Sequence, residues 1–194
     1  GKIGIQAIVN TMGVSVSAAF AVVNRIDDFA YTPEQNIAHA MTALMAQNKG
    51  AGKTGRMKEG FRSGIILEII YGILIFIICF TFARPLMLMF VKDEEVIGHG
   101  VTYLHLISVM YLLPALTNGI QGFFRGIGDL KITLISSFIN MALRVLAAAP
   151  LVLIWKMGIE ALPYSYLAGW IGMLVAETPL LLKTYKTWGK KARQ

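Results

Sequence analysis

An all-α bundle of membrane-spanning helices is the fold class this sequence predicts, and three observations predict it. Of 194 residues, 56% are hydrophobic and only 15% charged, with mean hydropathy +0.62, whereas soluble domains carry charge on about a quarter of their residues. Several apolar runs reach the roughly 20 residues that cross about 30 Å of hydrocarbon. The cations fall in short turns between those runs. A formal net charge of +7 could point to nucleic acid, but cations dispersed among turns make no single patch, so no nucleic-acid partner is expected.

Six segments follow in order. The first, about residues 1–13, is apolar through Ile3, Ile5, Ile8 and Val9, is too short to span, and reads as the end of a truncated helix begun upstream. Small and polar residues from Asn10 to Ser17 make a turn. The second helix covers about 18–48, with Pro33 near its middle predicting a kink. The third covers about 62–83, ahead of Arg84-Pro85. Asp93-Glu94-Glu95 reads as an N-cap and acidic first turn for a fourth helix over 94–124. Asp129 is the expected cap of a fifth, 130–155, and Pro163 suits the first turn of a sixth, 162–186. The membrane domain is thus placed at 1–189, with a basic tail at 190–194.

Loop charge predicts orientation. Alternate turns and the tail hold Lys49, Lys53, Arg56, Lys58 and Arg62, then Arg125 and Lys131, then Lys183, Lys186, Lys190, Lys191 and Arg193, which is twelve of the 18 cations. The opposite turns hold three: Arg84, Lys92 and Lys156. The richer side is expected to be cytoplasmic, which places turns 49–62 and 125–131 and the C-terminus inside a multi-pass protein of the cell (inner) membrane.

Catalytic and cofactor motifs find no support. Gly52-Lys53-Thr54 ends like a phosphate-binding loop, but Gln47 stands where that loop needs glycine, and a helix precedes it where a strand is needed. The histidines at 39, 99 and 105 are scattered, and the single Cys79 lies in an apolar run and reads as packing. No enzyme activity, metal or cofactor is expected.

Polar groups at membrane depth are the remaining candidates, because a charge near the bilayer centre costs about 2.5–3.5 kcal/mol and turns toward the bundle interior or a water-filled cavity. Arg144 lies near the middle of the fifth helix, and Ser137, Asn140 and Arg144 share one face. On the second helix Asp28, Tyr31, Gln35 and His39 form a polar stripe, Arg25 and Asp28 are spaced to pair, and Glu34 adjoins Pro33. Asn118 and Gln121 are placed to bond across helices near a second candidate kink at Pro114. Glu68 and Glu177, nearer the helix ends, read as solvated. Gly60-x-x-x-Gly64 and Gly122-x-x-x-Gly126 permit close helix contact. The cavity candidates are therefore Asp28, Glu34, Gln35, Asn118, Gln121, Asn140 and Arg144.

Four stretches together resemble the multidrug and toxic compound extrusion (MATE) family: Asn24-Arg25-Ile26-Asp27 before Pro33; Gln47-Asn48-Lys49-Gly50-Ala51-Gly52; Arg84-Pro85-Leu86-Met87 through Phe90 before Asp93-Glu94-Glu95; and Gln121-Gly122-Phe123-Phe124-Arg125-Gly126-Ile127-Gly128-Asp129. The resemblance implies twelve helices in two six-helix lobes around a central cavity. This chain would be the C-terminal lobe, and the missing N-terminal lobe would be its partner. It further implies efflux of organic, often cationic compounds by antiport against sodium or protons. Some members carry an acid in the fourth helix of this lobe, where this sequence reads Leu112-Leu113-Pro114-Ala115. The main coupling site is therefore expected outside this half unless Glu34 substitutes. Alternatives are a lipid-linked oligosaccharide flippase of the related superfamily, which would need a more cationic cavity, and a non-transporting membrane subunit.

Overall fold

The computed structural model describes residues 2–191, with side chains over 3–187; the side chains of the basic tail at 190–194 lie outside the described residues. Eight helices follow one another: α1 (Lys2–Asn10), α2 (Val14–Gly50), α3 (Thr54–Thr81), α4 (Ala83–Leu88), α5 (Glu94–Ser108), α6 (Leu112–Gly126), α7 (Leu130–Leu153) and α8 (Ala161–Lys191). α2 packs against α3, α5 and α6, and α7 pairs with α8.

Prolines account for two of the boundaries. Pro85 has no N–H to give to Thr81, so the third predicted segment stops there and resumes as α4 with Pro85 in its first turn. Likewise the fourth predicted segment divides into α5 and α6, bent by 52°. Met110 N and Tyr111 N donate three residues back, to Ile107 O (2.9 Å) and Ser108 O (3.1 Å), and Pro114 occupies the first turn of α6. In a first turn the missing N–H leaves no bond unmade. Pro33 lies inside α2, where a kink is expected, and α2 runs on through it without a break. Ala30, Glu34 and Ala38, on either side of it, are all buried against neighbouring helices.

Capping separates two positions that look alike in sequence. Asp93, with ψ 120°, accepts from Glu95 N (2.9 Å) and Val96 N (3.1 Å). Asp129 stands at the same position before α7, but with ψ 69° its carboxylate makes no capping bond. Arg25 and Asp28 are both exposed and form no ion pair; the ion pairs among the described residues are Arg84–Glu94 (2.9 Å) and Glu95–His99 (3.9 Å).

α3, α7 and α8 are long and apolar enough to cross a membrane, and the bent α5–α6 pair would make a fourth span. Their outward faces carry exposed Ile66, Ile70, Leu74 and Ile77 on α3, Leu134, Phe138 and Leu146 on α7, and Ile171 and Val175 on α8, as lipid contact requires. α2, the longest helix at 37 residues, does not meet that test, since Arg25, Asp27, Asp28, Glu34, Gln35, Asn36 and His39 run along it. It instead buries one face, with Asp27 and Glu34, against α3, α5 and α6, while Arg25, Asp28, Gln35, Asn36 and His39 are exposed on the other.

Glycine makes the enclosure close. A Cβ on Gly122 would lie 2.6 Å from Ala38 O, and one on Gly126 2.6 Å from Thr42 O. Thr42 Oγ1 bonds Gly122 O at 3.1 Å across the same contact. On α3, Gly60 and Gly64 face Leu44 and Met41 of α2 in the same manner. Both small-residue patterns therefore seat a neighbour on α2.

At one end of the bundle Lys49 Nζ bonds Ile127 O, and Lys58 lies 5.3 Å from the centre of the Tyr185 ring. The turns at 51–53 and 127–129, with Gly52 at φ +68° and Gly128 at φ +82°, thus sit beside the C-terminal half of α8. Among the described residues, the two cation-rich turns and the C-terminal half of α8 gather at this end.

Two stability tests follow from this packing. Gly122→Val and Gly126→Val drive a side chain into a backbone carbonyl and are expected to cost about 1–3 kcal/mol by overpacking, read as a lower melting temperature in detergent. Gly98→Ala, with open space at its Cβ position, should leave the melt within about 1 kcal/mol. Asp93→Ala removes two bonds from the start of α5 and should cost about 1 kcal/mol in the same assay.

Candidate functional site

A cavity of about 370 Å³ opens where α2 faces α6, α7 and α8. α2 contributes Asn24, Asp27, Asp28, Tyr31, Thr32 and Gln35, α6 gives Pro114 and Asn118, α7 gives Arg144, and α8 gives Tyr166 and Trp170. The α2 residues recur at helical spacings of three and four, which is why one face of a single helix can line most of one wall.

Arg144 organises the opposite wall. Its guanidinium carbon lies 4.2 Å from the centre of the Tyr166 ring and 5.2 Å from that of Trp170. These are cation–π contacts, worth about 0.5–2 kcal/mol each. Close packing of α7 on α8 permits them: a Cβ on Gly169 would stand 2.7 Å from Arg144 Cγ and 2.9 Å from Asn140 O. Arg144 Nε is buried and has no hydrogen-bond partner.

Across the cavity Asp27, only 4% exposed, accepts from Tyr111 Oη at 2.5 Å. The α5–α6 bend brings Tyr111 there. Tyr31 stands edge-on to Tyr111 (5.5 Å between ring centres) and Trp170 (6.5 Å), with its buried hydroxyl unbonded. Asp27 and Arg144 line the same cavity without forming an ion pair. The site therefore offers an organic molecule two carboxylates, one guanidinium, aromatic faces and unengaged polar atoms.

Of the predicted cavity residues, Asp28, Gln35, Asn118 and Arg144 line this space together. Glu34 does not; it is fully buried behind the wall, where Asn118 Nδ2 donates to its Oε2 at 3.4 Å. Gln121 and Asn140 also lie off the cavity, turned into the seam of α6, α7 and α8. There Gln121 Nε2 reaches Ser137 Oγ (3.1 Å), and Asn140 Nδ2 contacts Met173 Sδ (3.6 Å). Glu68 and Glu177, read as solvated, are both fully buried. Nearness to a helix end in sequence did not expose them, because each points inward between helices. Glu177 Oε1 is held by Ser136 Oγ at 2.6 Å.

Tyr111, Tyr166 and Trp170 were missed by the sequence reading. The four-residue spacing of Tyr166 and Trp170 beside an intramembrane arginine is the signal that could have found them. Gln47, Asn48, Gly50 and Gly52, like Arg125, Gly126 and Gly128, close the basic end of the bundle away from the cavity. Arg25 is exposed on α2.

Comparison with known proteins accords with this architecture. A curated relative, the "Probable multidrug resistance protein YoeA" of Bacillus subtilis (strain 168), is 29% identical over 197 residues, covering 98% of this chain and 41% of its own length. Solved structures of a multidrug resistance MATE family transporter of the MOP superfamily match in the outward-facing conformation, with TM-score 0.88 and 16% identity over 94% of this chain and 41% of that one. They match equally in the inward-facing conformation, with TM-score 0.87 and 15% identity over 91% and 40%. The chain thus spans about two-fifths of the length of these proteins. The MatE family model matches residues 3–149, and the chain belongs to the MatE family.

Proposed function

We propose that this chain forms one lobe, the C-terminal one, of a two-lobe membrane transporter that exports organic, often cationic compounds by sodium- or proton-driven antiport. The cavity carries this reading: Asp27 and Asp28 outnumber Arg144, and Tyr31, Tyr166 and Trp170 present ring faces beside them. Carboxylates and aromatic faces are the groups that hold organic cations. Coverage of about 40% of full-length relatives accords with one lobe paired to another across the cavity mouth. By the positive-inside rule, the basic end of the bundle, with the turns at 51–53 and 127–129 that lie within the predicted turns 49–62 and 125–131, and with the C-terminus, faces the cytoplasm of the cell (inner) membrane.

The flippase alternative fares less well, because a phosphate-bearing lipid would meet two carboxylates and one guanidinium that is already stacked on aromatic rings. A non-transporting subunit would have no use for a polar cavity lined with unbonded groups.

Dye efflux from cells expressing the complete transporter tests the reading. Asp28→Asn should raise the half-saturating concentration of a monocationic dye by about tenfold, equivalent to ~1.4 kcal/mol, and leave that of a neutral dye unchanged. Extrusion of no cationic dye by the wild type would overturn it.

A further inference from the structure

A second cavity, a groove of about 520 Å³, runs between α2 and α3 and shares no lining residue with the polar cavity. α2 runs toward the basic end of the bundle and α3 starts from it, so the lining residues fall in order of depth. Asn48, Arg56 and Glu59 stand nearest that end, Ser63 lies between, and Ile37, Met41 and Leu67 line the far part. Gly60 and Gly64, over which Leu44 and Met41 lie, leave α3 without side chains along the middle of the groove. The order is polar to apolar, from the end of the bundle inward.

The groove meets the lipid-facing surface. Leu67 is 53% exposed and leads into Ile70, Leu74 and Ile77 on the outward side of α3. On the other wall Ala40 and Leu44 are exposed as well. Along α3 the rise from Arg56 to Leu67 is about 16 Å, the depth of one leaflet where the hydrocarbon core is about 30 Å.

Its mouth is positive. Between residues 49 and 62 five cations face the single acid Glu59. Two of them are engaged, Lys49 with Ile127 O and Lys58 over the Tyr185 ring. Arg56 enters no ion pair among the described residues, although Glu59 stands within one turn of it. Asn48 gives its Nδ2 to Leu44 O at 2.9 Å and presents Oδ1 as an acceptor. Cations at the end of a membrane helix attract anionic headgroups.

We infer that this groove holds one anionic phospholipid of the leaflet at the basic end, with its phosphate on Arg56 and one acyl chain laid along Leu44, Met41 and Leu67. Asn48 Oδ1 and Glu59 accept from headgroup hydroxyls, which favours a glycerol headgroup over choline. The bound lipid bridges α2 and α3 along their glycine contact. The identity of the leaflet as cytoplasmic rests on the orientation proposed above, whereas the binding does not.

The test uses the complete protein in phosphatidylcholine vesicles with a trace of phosphatidylglycerol carrying a diazirine on its acyl chain, followed by peptide mass spectrometry. After illumination, segments 37–44 and 60–67 should be labelled above the lipid-facing parts of α7 and α8. Unlabelled phosphatidylglycerol should remove that excess, and added phosphatidylcholine should not. Arg56→Gln should lower the excess about fivefold, the effect of one surface cation on an anionic lipid. Ala40→Trp, which fills the groove from an exposed position, should abolish it while labelling of α7 persists. Even labelling of all lipid-facing helices, or equal competition by phosphatidylcholine, would show bulk lipid and overturn the inference. So would an unlabelled groove, covered then by the other lobe or a second copy, or an excess that either variant retains.

Discussion

The arrangement of the bundle follows from the need to keep the acidic face of α2, with Asp27 and Glu34, away from hydrocarbon. Asp27 and Glu34 are buried on a helix of 37 residues that would otherwise have to cross an apolar medium. Each such group costs several kcal/mol if left facing lipid. The structure meets this by letting α3 and α6 approach α2 at glycines. Gly122 and Gly126 stand against the carbonyls of Ala38 and Thr42, and Gly60 and Gly64 receive Leu44 and Met41. Apolar helices in lipid gain nothing from hydrophobic burial against one another, so close backbone packing and hydrogen bonds such as Thr42 Oγ1 to Gly122 O must hold them.

The bend between α5 and α6 depends on the same enclosure. With the 52° break, Tyr111 meets Asp27 and Asn118 meets Glu34, two bonds spaced seven residues apart on each helix. Two turns of α2 thereby match two turns of α6, and the register between them is set by polar contacts. A slip of one residue would leave both acids without a neutral donor, at about 1–3 kcal/mol apiece or more for a charge.

Much of this was legible from residue type and spacing, and what was not has a common cause. Asp93 as a cap, Cys79 as packing, and the cross-helix bonds of Asn118 and Gln121 were readable because each depends on local chemistry or on the cost of a lone polar group in lipid. Arg144 was readable as a cavity residue for the same reason. The break before Pro114 was flagged by the proline, but whether a proline interrupts depends on what surrounds it, as uninterrupted α2 at Pro33 demonstrates. Asp129 failed as a cap because backbone ψ, which sequence does not fix, decides whether the carboxylate reaches back. Glu68 and Glu177 were misjudged because helical phase relative to the neighbours, and not distance from a helix end, determines burial. The aromatic partners of Arg144 on α8 belong to a different segment, and only the tertiary pairing of α7 with α8 brings them together.

The chemistry of the cavity constrains how an organic cation could bind there. Arg144 already occupies the faces of Tyr166 and Trp170. A cationic ligand stacking on those rings would therefore replace one cation–π contact with another, and gain only the difference. That difference is small when each contact is worth about 0.5–2 kcal/mol, so binding would be weak and tolerant of shape. The larger effect falls on Arg144, which on losing its rings keeps an unbonded Nε. Asp27 is tied to Tyr111 at the bend between α5 and α6. A freed Arg144 would thus share the cavity with a carboxylate anchored at one of the two breaks in the helices around α2, the other lying between α3 and α4.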